Sequence, residues 1–392
     1  MQVVSPVRLA VVLALLSALG PLAIDTYLPA LVRMADDLGG AVHQVETSVS
    51  LYLIGAAFGQ LFGGQLSDRL GRKQVAVGGL LLFLFASIGI VLADSITMLY
   101  LMRLLQAFGG GAAVVISAAS VRDFYNGREA ARVLTTIGLI MLVAPLIAPA
   151  VGSLLLHLWS WESIFMFLAL YAAIMLLVLV RGLPTRPPRP QPGGALAGYG
   201  RVLCHRQAMG FILANAMGFS AMFMFITDSA FLYMTHFGAT EALFPVLFGA
   251  NIVLMLLLNR LNVVLLRHYD PAVMLRWGLT LQLLGASVFL ALAVTGLLTL
   301  ALAVPLVMLV VGAVSLIVPN AMASFMAFFD RDAGAASGLN GALQFLLAGI
   351  LGFLLTHFHT ESVLPMAVAM LGSVLLANVA FYGLARGDGS QT

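Results

Sequence analysis

Uncharged apolar runs of roughly 20 residues recur along the whole chain, and that recurrence leaves few folds open. Two of them, Val49 to Phe62 and Val75 to Ala93, flank a charged island, Gly64-Gln65-Leu66-Ser67-Asp68-Arg69-Leu70-Gly71-Arg72-Lys73. Lipid offers the backbone no hydrogen-bond partners, so only helices and closed barrels span it. Long continuous apolar runs fit the helix and exclude the alternating strands of an outer-membrane barrel. Composition agrees: 61% of the 392 residues are hydrophobic and 9% are charged, with a mean hydropathy of +1.06. That is too little polar surface for a soluble globule. The stretch from Leu9 to Leu31, after Arg8, is too long for a secretory signal and lacks a small-residue cleavage site followed by soluble sequence, so it reads as the first span.

The island is a tight turn at a membrane face. Lys and Arg are retained on the cytoplasmic side while Asp and Glu carry little topological weight, so Arg69, Arg72 and Lys73 orient the chain. Charges and turn residues then predict twelve spans: 8–31, 46–66, 75–93, 98–121, 132–156, 161–181, 208–234, 242–264, 272–294, 298–321, 334–356 and 362–384. With a cytoplasmic N-terminus, nearly every arginine falls on the inside and Arg33 alone on the outside, so both termini are expected to be cytoplasmic. The net charge of +3 is therefore topology and not a nucleic-acid patch. Cys204, the single cysteine, has no intrachain partner.

Pro184, Pro187, Pro188, Pro190 and Pro192, with Gly193 and Gly194, sit among arginines and read as a linker. The expected organisation is a six-helix bundle over 1–181, a cytoplasmic Pro/Arg-rich linker over 182–207 and a second six-helix bundle over 208–392. Asn259-Arg260 and Arg267-His268-Tyr269-Asp270 form a faint second copy of the island after the eighth span. Duplicated halves are the sequence image of a transporter that rocks one bundle against the other around a mid-membrane site.

These residues carry a family resemblance. The island resembles the signature loop of the major facilitator superfamily, and Arg103-Leu104-Leu105-Gln106 with Gly109-Gly110 resembles its fourth-helix motif. Within the superfamily, Ile24-Asp25-Thr26-Tyr27-Leu28-Pro29, Val121-Arg122-Asp123-Phe124-Tyr125 and Pro319-Asn320 are similar to the bicyclomycin/chloramphenicol-resistance type of drug–proton antiporter. The chain departs from that pattern at Ala107, Glu162, Asp228 and Ala230. The resemblance implies a twelve-helix fold in a bacterial inner membrane, a functional monomer, and export of small drugs driven by inward proton flow with no other cofactor. It also implies a cytoplasmic gate of Gly64, Asp68, Arg69, Gly71 and Arg72, in which Asp68 pairs with basic residues or a helix N-terminus; Arg122 and Asp123 are candidates for the same latch.

Three ionisable residues lie well inside predicted spans: Asp25, Arg103 and Asp228. A charge at the bilayer centre costs about 2.5 to 3.5 kcal/mol, so such groups face the bundle interior and have partners. Counted inward at about 1.5 Å per residue, all three share a depth of roughly 8 to 9 Å below the outer ends. Asp25-Thr26 and Asp228-Ser229 stand as counterparts in the two halves, expected to face a common cavity. Asp25 is the candidate proton carrier, uncharged when desolvated and ionised when water reaches it, with Arg103 tuning it. The alternative is a structural Asp25–Arg103 ion pair. Asp228 recognises a cationic substrate, shares the proton, or sits in an outer vestibule. Glu46 and Glu162 read as helix N-terminal acids.

Gly55, Gly59 and Gly63 repeat every four residues on the second span, as do Ala144, Ala148 and Gly152 on the fifth. Such small-residue faces serve close helix packing, static or gating. Pro145 and Pro149 are expected to bend the fifth span. Tyr27, Gln106, Asn215, Met224, Asn251, Asn320 and Gln344 are candidates for lining the substrate cavity, within a Met- and Phe-rich seventh span whose other large side chains are expected to face lipid or pack.

Lys73 is the only lysine and follows Arg72, so no Gly-Lys-Ser/Thr phosphate loop exists. No His-Glu-x-x-His occurs, and His157, His236, His357 and His359 lack metal-ligand company, so no metal site is expected. Besides drug export, two readings stay open: a membrane enzyme acting on lipid or an isoprenoid carrier, for which no convincing catalytic pair is found, and a proton-coupled carrier of a sugar or amino acid.

Overall fold

The computed structural model describes residues 6–124, 127–182, 194–329, 333–358 and 360–385. Among these, all regular structure is helical. The chain divides into two units, Met1–Gly194 and Ala195–Thr392.

The first unit holds α1 (Pro6–Asp25), a single 3-10 turn (Leu28–Ala30), α2 (Leu31–Asp37), α3 (Val42–Leu70), α4 (Arg72–Val91), α5 (Ile96–Phe124), α6 (Gly127–Leu158) and α7 (Glu162–Gly182). The second holds α8 (Gly194–Cys204), α9 (Arg206–Ala230) running on as a π-helix (Phe231–His236), α10 (Phe244–Leu265), α11 (Pro271–Val294), α12 (Leu300–Gly312), α13 (Val314–Met326), α14 (Ala333–His357) and α15 (Leu364–Ala380), which also ends in π geometry (Phe381–Ala385). Eleven of the described helical stretches are long and apolar enough to cross a membrane; the remaining predicted span coincides with α6, whose apolar part is Val143–Leu158.

Local chemistry explains where helices start and stop. Pro271, Pro245 and Pro365 open α11, α10 and α15, where a missing N–H costs nothing. Gly71 ends α3 and begins α4 with φ of 101°, a conformation that a side chain strains, so one residue turns the chain between two spans.

Two sequence expectations need correction. The first span does not end near Leu31: the helix breaks at Thr26–Tyr27, just before the 3-10 turn that holds Pro29, and resumes as α2 to Asp37. Asp25 therefore stands deeper from its outer end than Arg103 or Asp228 do from theirs, and the common depth dissolves. The stretch read as linker contains α8, and its Val202 is fully buried in the core of the second unit with Ile212, Leu279 and Phe325. Tyr199 and Val202, three residues apart on α8, give it an apolar edge against that core, which the composition of the stretch hid. Residues 183–193, with the linker prolines, lie outside the described residues.

In the first unit α3 packs along α5 through the predicted glycine stripe. A Cβ at Gly55 would stand 2.6 Å from the Leu104 carbonyl oxygen, at Gly59 2.2 Å from that of Phe108, and at Gly63 2.6 Å from Ala112 Cα. On α6, a Cβ at Gly152 would fall on the Thr26 carbonyl at the break in the first span. Ala148 and Ala144 are buried on the same side, and Pro145 and Pro149 lie inside α6 without ending it. Large apolar side chains remain outside the units, Phe85 at 63% exposure and Val379 at 68%. Faces like these belong in hydrocarbon.

Candidate functional site

Three polar constellations stand inside the helices: one around Arg103, one at the charged island, and one in the second unit.

Arg103 is fully buried on α5. Its Nη1 donates to the Ala23 carbonyl at 3.1 Å and to Gln106 Oε1 at 2.7 Å. Ala23 belongs to the last turn of α1, whose carbonyls have no partners within the helix, so the guanidinium supplies both a donor and a cation at a helix C-terminus. Its plane stacks on aromatic rings, 4.2 Å from the Tyr27 centroid, 4.5 Å from Tyr52 and 5.8 Å from Phe165. Gln106 passes the network on, its Nε2 donating to Ser87 Oγ at 2.8 Å, and Ser87 donates to the Phe83 carbonyl. Tyr27 Oη and Ser48 Oγ share a hydrogen bond of 3.0 Å.

Asp25 is 4% exposed, and among the described residues nothing hydrogen-bonds to or pairs with its carboxylate. The alternative of a structural Asp25–Arg103 ion pair is therefore not formed: Arg103 turns to the end of α1 and to tyrosine rings instead. Gln106, expected to line a substrate cavity, has both ends of its amide committed inside the bundle. Glu46 is not a surface N-terminal acid. It lies past the first turn of α3, fully buried and within electrostatic reach of Tyr27. Tyr52, Ser48 and Ser87 were not singled out by sequence; their only signal was polar identity within apolar spans.

At the island, Arg72 is the hub. It pairs with Asp68 at 2.8 Å and with Asp123 on α5 at 3.1 Å, and donates to Ser67 Oγ. Ser67 Oγ donates to the Gly64 carbonyl. Lys73 Nζ donates to the Val180 carbonyl near the end of α7 at 2.6 Å. Arg69 is exposed and joins none of these pairs, and the Arg122 side chain lies outside the described residues. Both ion pairs are about a quarter exposed, so each contributes modestly and their joint role is to fix the α3–α4 turn against α5. Arg72→Ala is expected to lower stability by no more than about 1 kcal/mol while releasing this turn, seen as faster backbone amide exchange over residues 64–73 with unaltered exchange in α9.

In the second unit α9 is buried nearly all round, including Met222, Phe223, Met224, Phe225 and Asp228. Met222, Phe223, Met224 and Phe225 of the Met- and Phe-rich seventh span thus pack inside protein, while Met217 and Phe219 are half-buried. One residue past Asp228-Ser229, after Ala230, the helix passes into π geometry, and α1 breaks directly after Asp25. Widened or broken turns beside an acid are frequent at functional sites. Phe225, Tyr233, Phe244 and Phe248 stack around that turn, with centroids 5.7 to 6.2 Å apart, beside Asn251, whose Nδ2 donates to the Phe248 carbonyl. Asn320 Nδ2 donates to Asn262 Oδ1 at 2.8 Å and to the Leu316 carbonyl, which makes it a bundle-internal tie. Gln282 bonds the Gly218 and Val310 carbonyls. Asn215 meets Asn340 and Gln344. Asn262, Gln282 and Asn340 escaped the sequence reading because amides become informative only when their long-range partners are known. Among the described residues no group of acids, histidines or cysteine forms a metal site.

The profile of the Major Facilitator Superfamily matches residues 13–353. The chain belongs to that superfamily. It is therefore a membrane transporter, and the enzyme alternative falls. Among curated superfamily relatives, the bicyclomycin resistance protein homolog of Haemophilus influenzae is 29% identical over 95% of this chain and 94% of its own length. The multidrug resistance protein MdtL of Shigella dysenteriae is 33% identical over 56% of each chain. Among solved structures, the xylose transporter XylE of E. coli in a partially occluded inward-open conformation superposes with a TM-score of 0.75 at 13% identity, covering 99% of both chains. At that identity the likeness shows the fold alone.

Proposed function

We propose that this transporter exports small, largely apolar drugs across a bacterial inner membrane in exchange for protons, by alternating access. The observation that carries the reading is the unpaired, buried Asp25 at the break in the first span, beside an arginine committed elsewhere. A carboxyl group inside a membrane bundle is costly as a charge and has a default reading as a proton or ion site. The full-length similarity to a bicyclomycin resistance homolog supports drugs as the cargo class. Asp25 takes up and releases the proton. Arg103, locked on Tyr27 and Tyr52, supplies a fixed positive field, and Asp228 contributes from the second bundle at its own helix interruption. Arg72, with Asp68 and Asp123, holds the cytoplasmic turn. The protein works as a monomer with both termini cytoplasmic, without cofactor or nucleic-acid partner.

The test places purified protein in liposomes loaded with a pH-sensitive dye under an imposed proton gradient, and adds bicyclomycin, amphenicols, lipophilic cations and sugars in turn. Proton movement triggered by a drug is the expected result. Silence with every drug and a response to a sugar would move the cargo to metabolites.

A further inference from the structure

Asn215 of α9 and Asn340 and Gln344 of α14 bring three carboxamides together wholly inside the second unit. Asn215 Nδ2 donates to Asn340 Oδ1 at 2.9 Å and to Gln344 Oε1 at 3.3 Å. The cluster does not satisfy itself. Asn215 is fully buried, and its Oδ1 accepts no hydrogen bond. Asn340 Nδ2 has only the Met322 sulfur, at 4.0 Å, which is a weak acceptor. The Gln344 amide nitrogen donates to nothing among the described residues. Buried polar atoms left unmade are expensive, and each specific case calls for a cause. Asn320 and Gln282, in the same unit, have their amide nitrogens used, and although Gln282 Oε1 and Asn251 Oδ1 are also buried without a partner, only this cluster brings three carboxamides together with both donors and an acceptor to spare.

The cluster is also not sealed: Asn340 and Gln344 keep 5% and 8% exposure. One turn further along α9 stands Phe219, its ring tilted against Phe223 at 4.8 Å and edge-to-face with Phe345 at 5.5 Å. Unused donors and one unused acceptor, all uncharged, thus lie beside an aromatic wall. We infer that Asn215, Asn340 and Gln344 form a subsite for an uncharged, hydrogen-bonding group of the cargo, an amide or hydroxyl carried on an aromatic or otherwise apolar body. Neutral amides both donate and accept, matching a ligand group of the same kind, whereas they offer a cation or anion no counter-charge. A site built to hydrogen-bond such a group rejects analogues lacking it, since its own polar atoms would stay unpaired. This specificity rests on the drug-transport reading above and assigns it a recognition point.

The experiment is equilibrium binding to the detergent-purified full chain, with no proton gradient. Chloramphenicol serves as the neutral aromatic amide, and tetraphenylphosphonium as a lipophilic cation without hydrogen-bonding groups. The variants Gln344→Met and Asn340→Leu preserve size and remove the amides, and thermal melting reports their folding. At least a tenfold loss of chloramphenicol affinity in both, with tetraphenylphosphonium affinity changed less than twofold, is the expected result. Unchanged chloramphenicol affinity, parallel loss of both ligands, or no chloramphenicol binding by the wild-type chain overturns the inference. Because no gradient is used, failure of proton coupling leaves this result standing. Proton-driven export that is indifferent to both amides sinks the subsite and keeps the transport reading.

Discussion

Gly59→Leu is expected to stop the first unit from assembling. The position faces the Phe108 carbonyl oxygen so closely that even a Cβ would stand 2.2 Å away, and the next atoms are the carbonyl carbon of Phe108 and the backbone nitrogen of Ala112. No side chain can move aside, because the obstacle is the backbone of α5. Overpacking a core commonly costs about 1 to 3 kcal/mol, and a whole leucine against main chain lies above that range. The consequence extends beyond α3. Separating α3 from α5 moves Tyr52 away from Arg103 and Asp68-Arg72 away from Asp123, so the buried network and the island fail together. Loss of monodisperse protein on size exclusion is expected, with Gly59→Ala intermediate. Gly78→Ala serves as a control, since a Cβ there meets nothing within 4 Å.

Arg103→Leu is expected to be the most damaging single change that leaves the helices formed. It deletes two charge-assisted hydrogen bonds, worth roughly 1.5 to 3 kcal/mol each, and orphans the Ala23 carbonyl and Gln106 Oε1. It also removes the cation held over Tyr27 and Tyr52. Relief from burying a charge offsets part of this, leaving a net loss of about 2 kcal/mol. The end of α1 is then uncapped beside Asp25, and transport is expected to fall at least tenfold. Arg103→Lys keeps the charge but not the planar stack, so it is expected to recover stability better than transport. Unfolding titrations in mixed micelles and drug flux measured on the same preparations separate the two effects. Wild-type flux in Arg103→Leu would show that the guanidinium is not needed for the cycle.

Much of this fold was legible in the residues themselves. Uncharged runs gave the spans because lipid imposes both length and helical hydrogen bonding, and the four-residue glycine period announced the face that α3 presents to α5. The tight turn of the island could be anticipated from its charges and glycines, whereas the pairing of Asp68 with a neighbouring base was implied by the family resemblance. What stayed hidden depends on partners distant in the chain. Nothing near Glu46 says that it is buried, since its surroundings are made by other helices. The ring stack on Arg103 joins Tyr27, Tyr52 and Phe165, which no periodicity links. The break after Asp25 was written in Pro29, yet the apolar run continued across it and masked the interruption. In α8 the composition of the linker outweighed the short apolar pattern that buries Val202.

The central claim is that Asp25 couples the proton to the drug, and the most direct measurement compares two fluxes in the same liposomes. One is drug uptake driven by a pH gradient; the other is exchange of labelled for unlabelled drug with no gradient, which needs the alternating cycle but no net proton transfer. In Asp25→Asn the proton-driven flux is expected to disappear while exchange persists near the wild-type rate. Gradient-driven transport retained in that variant would contradict the account and place the coupling elsewhere.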